Sequence, residues 1–350
     1  MTSVQAMNEA NLVAQSALRF AQGAGGPARA RAVRDNFPQL DRAAWRQIAE
    51  QGWLAMLVPE AAGGLGMDAA AACAVLEAAG ASLLPEPVVP AMAAASFLGG
   101  IGEPGADLLD TLLDASRVVL AVPAPMQPVF PAHLSHVADC YAGAVLLVAA
   151  EDDATGDGFE VRAIALDAPG VRVDTAACVD GSLLSTLEID GGAWRDAPRL
   201  AAGSRARDAW SGVRDVMLLG HAAALVGVMD AALEAAVGYM KVREQFGAPI
   251  GSFQALQHAA ASAHVDVVAT RALVREACRA FNTPVQARAA CAAKARASAA
   301  SLRVTKACVQ FHGAIGFADE HDIGLYLRRA MTLAARMGGQ LQQSLRWRRL

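Results

Sequence analysis

Between residues 116 and 200 the chain changes its pattern, and this interruption constrains the fold more than any other feature of the sequence. The runs Val118–Val122, Val145–Val148, Phe159–Leu166 and Leu183–Ile189 are short, β-prone and separated by Pro, Gly and Asp clusters such as the Asp-Asp-Ala-Thr-Gly-Asp-Gly string at 152–158. Runs of this length bounded by turn residues read as strands. Phe159–Leu166 includes the partly alternating run Phe-Glu-Val-Arg, and the whole segment predicts a small antiparallel sheet domain.

On both sides the sequence is helical. Asp41 is placed to cap a helix over Arg42–Gln51, with Trp45 and Ile48 on one face. Gly52, Pro59, Gly63, Gly64 and Gly66 then mark a loop, and a helix over Ala69–Leu83 stops at Leu84-Pro85-Glu86-Pro87. Beyond the sheet, helical stretches cover Ala206–Tyr239, Ser252–Phe281, Pro284–Phe311 and Asp322–Arg336, with Asn282-Thr283-Pro284 breaking the second from the third. Four long helices with short connections predict an antiparallel bundle. Hydrophobic residues are 54% of the chain and aromatics only 5%, with alanine supplying much of the excess, so close helix packing through small side chains is expected. The expected fold is mainly α with a central β domain: an N-terminal helical domain at 1–115, a middle β domain at 116–204 and a C-terminal four-helix bundle at 205–350.

Several functional classes fall away on composition. The formal charge of −4, with no basic tract, argues against a nucleic-acid partner. The six cysteines are scattered without a Cys-x-x-Cys pair, so neither a metal site nor a disulfide framework is indicated, which suits a reducing cytoplasm. The N-terminus lacks a charged segment followed by an apolar one, and no unbroken run of about 18 apolar residues occurs, so no signal peptide and no membrane span are expected.

Two strings carry more information. The first is Val242-Arg243-Glu244-Gln245-Phe246-Gly247-Ala248-Pro249-Ile250, followed by Phe253-Gln254 and Gln257-His258. Read residue by residue it is a helix end, a Gly–Pro turn and a new helix, with Phe246, Ile250 and Phe253 at possible core positions. The second is Gln310-Phe311-His312-Gly313-Ala314-Ile315-Gly316-Phe317, leading to Glu320-His321-Asp322. By itself it is a helix C-cap in which Gly313 and Gly316 end one helix and Asp322 or Glu320 caps the next, although glycines there also let backbone amides approach a phosphate.

Taken whole, these strings resemble the acyl-CoA dehydrogenase family. The string Gly52-Trp53-Leu54 through Gly66 is similar to its N-terminal helical domain, and Val171–Ile189 to its middle-domain strands. The resemblance implies FAD as cofactor, an acyl-CoA substrate and electron-transfer flavoprotein as acceptor. It implies Arg243 and Gln245 as polar FAD contacts, Phe246 as an apolar one, Gln254 as a further one, and Gln310, Gly313 and Gly316 in a loop reaching the flavin of a neighbouring subunit. A guanidinium suits a pyrophosphate, which it can bind through two hydrogen bonds. Ala314 stands where the family usually has a second glycine.

The same resemblance exposes two absences. The family's reaction needs a carboxylate to remove the α proton of the thioester. Aligned from Gly313, one usual position of that base is Met337; counted back from Val242, with Gly227 as a check, the other is Met217. Asp215 is a nearby carboxylate, but two residues along a helix is about 200° round the axis. The loop that contacts the flavin ring is also missing between Val118 and Val145. The run Gly316-Phe317-Ala318-Asp319-Glu320-His321-Asp322 through Arg329 is similar to the shorter, base-lacking subunit type of bacterial heterotetrameric acyl-CoA dehydrogenases. That resemblance implies an α2β2 assembly with a longer paralogue. The alternatives left open are a self-sufficient homo-oligomer using Asp215, an oxygen-reactive oxidase, and a helical scaffold that binds no flavin.

Overall fold

A computed structural model describes residues 13, 15–23, 25–36, 40–123, 126–127, 129–152 and 158–350. Helices α1 (Pro27–Asp35), α2 (Arg42–Glu50), α3 (Ala69–Ala81), α4 (Val88–Ile101) and α5 (Ala106–Leu113) come first. Strands β1 (Val119–Ala121), β2 (Ala132–Ala138), β3 (Val145–Asp152), β4 (Gly158–Ala165), β5 (Val171–Ala177) and β6 (Leu183–Ile189) follow. Helix α6 (Gly191–Asp196) and strand β7 (Arg199–Ala202) lead to the 40-residue α7 (Gly203–Val242). A hairpin of β8 (Glu244–Gln245) and β9 (Ala248–Pro249) precedes α8 (Gln254–Arg279), α9 (Gln286–His312), α10 (Ile323–Ala335) and α11 (Gln340–Arg349).

The described residues sort into two compact units that interleave along the sequence. The first comprises those up to Asp35, Ala69–Pro85 and Leu218–Leu350. Small residues set its helix spacing. A β-carbon added at Gly227 of α7 would lie 1.9 Å from the Glu77 carbonyl oxygen of α3, and one added at Gly80 of α3 would lie 2.0 Å from that of Ala224. The two backbones are therefore in direct contact. Arg271 of α8 ties the same helices together: Nε donates to Glu77 at 2.8 Å and Nη2 to Asp230 at 2.6 Å. Helix α9 lies against α8, α10 and α11 and is buried along most of its length, through Ala, Ser, Thr and Cys side chains.

One charged residue is sunk in this core. Lys294 is 0% exposed, and its Nζ donates to Ser298 Oγ at 2.8 Å, Ala334 O at 3.0 Å and Gly338 O at 3.3 Å. The ammonium thus satisfies carbonyls at and just beyond the negative end of α10. Burial pulls its pKa down to about 7.

The entry to α10 corrects one expectation. Asp322 occupies the N-cap position without capping, and its carboxylate accepts from Arg31 of α1 at 3.0 Å. The Ile323 amide donates instead to His321 Nδ1 at 3.2 Å. Asp319 accepts from Arg34 and pairs with Arg328, which holds its carboxyl down to about 2.

The second unit comprises Asn36–Asp68 and Glu86–Met217. Asp41 caps α2 through its carboxylate, which accepts from the Ala43 and Ala44 amides at 3.0 Å, and Trp45 and Ile48 are buried as their spacing predicts. The following loop folds back on itself closely enough that a β-carbon at Gly64 would lie 2.2 Å from Val58 O.

The β segment holds two sheets where one antiparallel sheet was expected. The first has strand order β1-β3-β4-β7, with β1 and β3 parallel; the second is antiparallel, in order β2-β6-β5. A parallel pair needs a long connection, and the stretch from Val122 to Ala144 supplies it, placing β2 in the other sheet on the way. Strands β2 and β7 were not anticipated. β2 carries His133, Ser135 and His136, and its register shifts between Leu134 and Val137, which breaks the alternation a strand would show.

Among the described residues one helix is long and apolar enough to cross a membrane, which does not overturn the expectation of no membrane span. By length and composition α7 passes, but 89% of its most apolar window is buried, as in a core helix.

Two outcomes follow for stability. Gly227→Ala should lower the unfolding free energy by at least about 1–3 kcal/mol through overpacking, measured by urea denaturation. For Lys294, the folded pKa of about 7 lies below the unfolded value of 10.5, so the unfolded chain binds the extra proton between them. Stability should therefore rise as pH increases from about 7 toward 10, and Lys294→Met should remove that part of the slope in Tm against pH.

Candidate functional site

The end of α7 builds the first half of the site. The Arg243 amide donates to Tyr239 O at 2.9 Å, and the Ile250 amide closes back on Arg243 O at 2.8 Å. Between them β8 and β9 pair Glu244 with Pro249 and Gln245 with Ala248, leaving Phe246 and Gly247 as a two-residue turn. Their φ values are +56° and +80°, the left-handed pair of a type I′ turn. Gly247 takes this conformation freely, whereas a bulky L side chain such as Phe246 is strained there. The Phe246 ring is also 93% exposed, and its one ring contact among the described residues is with Phe253, 6.2 Å away and edge-on. Strained backbone and a solvated aromatic both lower stability, so the position points to a role outside the folding of this chain.

Around this turn the polar side chains are uncommitted. Arg243, Gln245, Gln254 and Gln310 are all exposed, and none has a side-chain partner among the described residues.

The second half begins where α9 ends at His312. Gly313 has φ +66° and ψ −142°, a region open almost only to glycine, and a β-carbon there would meet nothing within 4 Å. Gly316 is glycine for a different reason: a β-carbon would lie 2.6 Å from Val309 O. Ala314 lies in the 3-10 turn Gly313–Phe317 without a positive φ, which explains why alanine serves there. Ile315 and Phe317 of this turn are exposed, Phe317 at 77%.

The two halves meet through rings that sequence reasoning passed over. Tyr239 stacks on His312 with centroids 4.4 Å apart, and His312 meets His321 at 4.6 Å and 61°. His312 and His321 lie within the second string and Tyr239 three residues before the first, but only the fold brings them together. Burial pulls the His312 pKa down.

Neither position that the resemblance gives for a base holds a carboxylate. Met217 is buried, as is Asp215. Met337 has φ +64° and packs on Leu218, Ala290 and Cys291. Its carbonyl accepts from the Gln343 amide nitrogen, and the next carbonyl, of Gly338, accepts from Lys294. A thioether in this setting accepts no proton, so the turn is well held but lacks a base.

Comparison with known proteins gives consistent matches. Residues 7–104 match the family described as "Acyl-CoA dehydrogenase, N-terminal domain", and residues 215–341 match "Acyl-CoA dehydrogenase, C-terminal domain". The chain is 30% identical to acyl-CoA dehydrogenase IpdE2 of Mycolicibacterium smegmatis, over 96% of each chain. It is also 30% identical to IpdE2 of Mycobacterium tuberculosis, over 87% of this chain and 85% of that one. Among solved structures it superposes on a chain of the Tcur3481-Tcur3483 steroid ACAD G363A variant with TM-score 0.86 and 27% identity, covering 98% of both. It superposes on a chain of the ChsE4-ChsE5 complex from Mycobacterium tuberculosis with TM-score 0.84 and 25% identity, covering 100% of this chain and 97% of that one.

If Phe246 serves something outside the chain, replacing it should not harm the isolated chain. Phe246→Asn should stabilise it by about 1 kcal/mol, because asparagine tolerates the left-handed conformation. Chemical denaturation checks this, and a loss of stability would show that the ring is packed internally.

Proposed function

Since this chain belongs to the acyl-CoA dehydrogenase family, we propose that it acts as one subunit type of a two-chain flavoenzyme that dehydrogenates an acyl-CoA thioester across its α and β carbons. In this reading it contributes contacts to an FAD site, and a longer paralogous chain brings the proton-abstracting carboxylate and the loops around the flavin ring. The observation that carries it is a contrast within one chain. The Arg243–Phe246 turn is present and strained into an outward-facing form, whereas both base positions are methionine.

FAD is the cofactor of this family, and the residues present fit one end of it. A guanidinium and three amide side chains that are exposed and without side-chain partners among the described residues, together with a solvated aromatic, suit a pyrophosphate and its flanking rings. Arg243 would bind phosphate oxygens, Gln245 and Gln310 would supply further hydrogen bonds, and Phe246 would shield the contact from water. When bound, FAD would supply the acceptor for the hydride from the β carbon. The α proton needs a separate acceptor, and Met217 and Met337 provide none. Solved relatives named as two-component assemblies support the partner-dependent reading. One of them is named a steroid ACAD, which makes a bulky acyl group such as a steroid side chain the substrate class we favour. Electron-transfer flavoprotein is the proposed acceptor.

The proposal is tested in the assembled complex. Arg243→Gln should weaken FAD binding by about 10- to 100-fold, the scale of a lost charge-assisted hydrogen bond, read by flavin fluorescence. Asp215→Asn should leave the α-proton exchange rate of the complex within about two-fold of the wild type. A collapse of exchange in Asp215→Asn would make this chain the source of the base and refute the division of labour.

A further inference from the structure

Arg243 and Phe246 follow the end of α7, whereas Gln310 and Gly313 stand at the end of α9. The residues that join these two ends belong to neither set of proposed contacts. Tyr239 lies one helical turn before Arg243, and its carbonyl accepts the Arg243 amide. Its half-buried ring stacks on His312 at 4.4 Å and 26°, and His312 sits between Gln310 and Gly313. His312 in turn meets His321, whose Nδ1 accepts the Ile323 amide and so fixes the start of α10.

The hydrogen bonds also assign the protons. His312 Nδ1–H donates to the Cys308 carbonyl at 2.7 Å. His321 uses Nδ1 as acceptor and so carries its proton on Nε2. His312 and His321 meet edge to face, with the Nδ1 of each bonded to backbone at a helix end. Tyr239 stacks on His312 and also meets His321 edge-on at 6.3 Å and 82°, so the end of α7, the end of α9 and the start of α10 are joined in one three-ring cluster.

We propose that Tyr239, His312 and His321 are positioning residues, a cluster of three rings that sets the Arg243–Phe246 turn and the Gln310–Gly316 loop in fixed register so that both can contact one dinucleotide. The proposal rests on the FAD reading above, and it assigns these rings no contact with the cofactor. The plate-like ring of His312 is what matters, and its ability to titrate is not required.

Two measurements on wild type, His312→Leu and His312→Phe test it. The first needs no flavin: the rate at which trypsin cuts the isolated chain after Lys241 or Arg243. His312→Leu should be cut about three- to ten-fold faster than wild type, the scale of a lost aromatic pair, and His312→Phe should stay within about two-fold. The second is FAD affinity in the assembled complex by fluorescence, where the same order and similar factors are expected. Tyr239→Leu and Tyr239→Phe provide a second pair should the His312 chains fail to fold. Equal cleavage of the three chains overturns the proposal, as does an equal loss in the Leu and Phe variants. Faster cleavage of His312→Leu with unchanged FAD affinity also overturns it. A wild-type complex that binds no FAD refutes the earlier reading, and the cluster is then judged on cleavage alone.

Discussion

At Gly227 and Gly80 two helix backbones touch, and much of the first unit is arranged by that contact. With no β-carbon between them, α3 and α7 cannot slide or separate without losing close packing along both. Arg271 then bridges Glu77 and Asp230 across the same pair from α8. The position of α7 along its own axis is thereby fixed, and so is the place where it ends. Tyr239 and Arg243 lie within a few residues of that end, so a contact between glycines well back along the helix determines where the proposed cofactor ligands stand.

Buried polar groups hold the far side of the same unit. Lys294 binds the carbonyls of Ala334 and Gly338, and Gln343 binds that of Met337. The turn at 336–339 is thus as carefully supported as a catalytic turn would need to be, although its side chain is methionine. Support of this kind around a methionine is consistent with the proposed division of labour between two chains. The strained and exposed Phe246 is the complement: a costly local conformation retained where a partner or cofactor can use it.

The legibility of the sequence varied with how each element is stabilised. The Asp41 cap and the Trp45–Ile48 face were plain because cap and core spacing are local signals. The long helices were found within a few residues of their ends because alanine-rich sequence leaves little else to form. β2 was hidden, since a bulge and two histidines disrupt its alternation, and β5, an edge strand with almost no buried face, was marked only by the family resemblance of Val171–Ile189. Asp322 looked like a cap but serves Arg31, because a distant helix competes for its carboxylate. Arg243, Phe246 and Gln310 were readable as a string, whereas the ring cluster depends on two helix ends and a loop brought together by tertiary packing.

The central claim is that this chain holds part of a flavin site and none of the proton-abstracting base. The most direct measurement is bound FAD, by absorbance, together with dehydrogenation of an acyl-CoA thioester, for the chain purified alone and for the chain co-purified with a paralogue carrying the glutamate. The account predicts little flavin and no turnover from the chain alone, with both restored in the complex. Full flavin and turnover from the chain alone would contradict it.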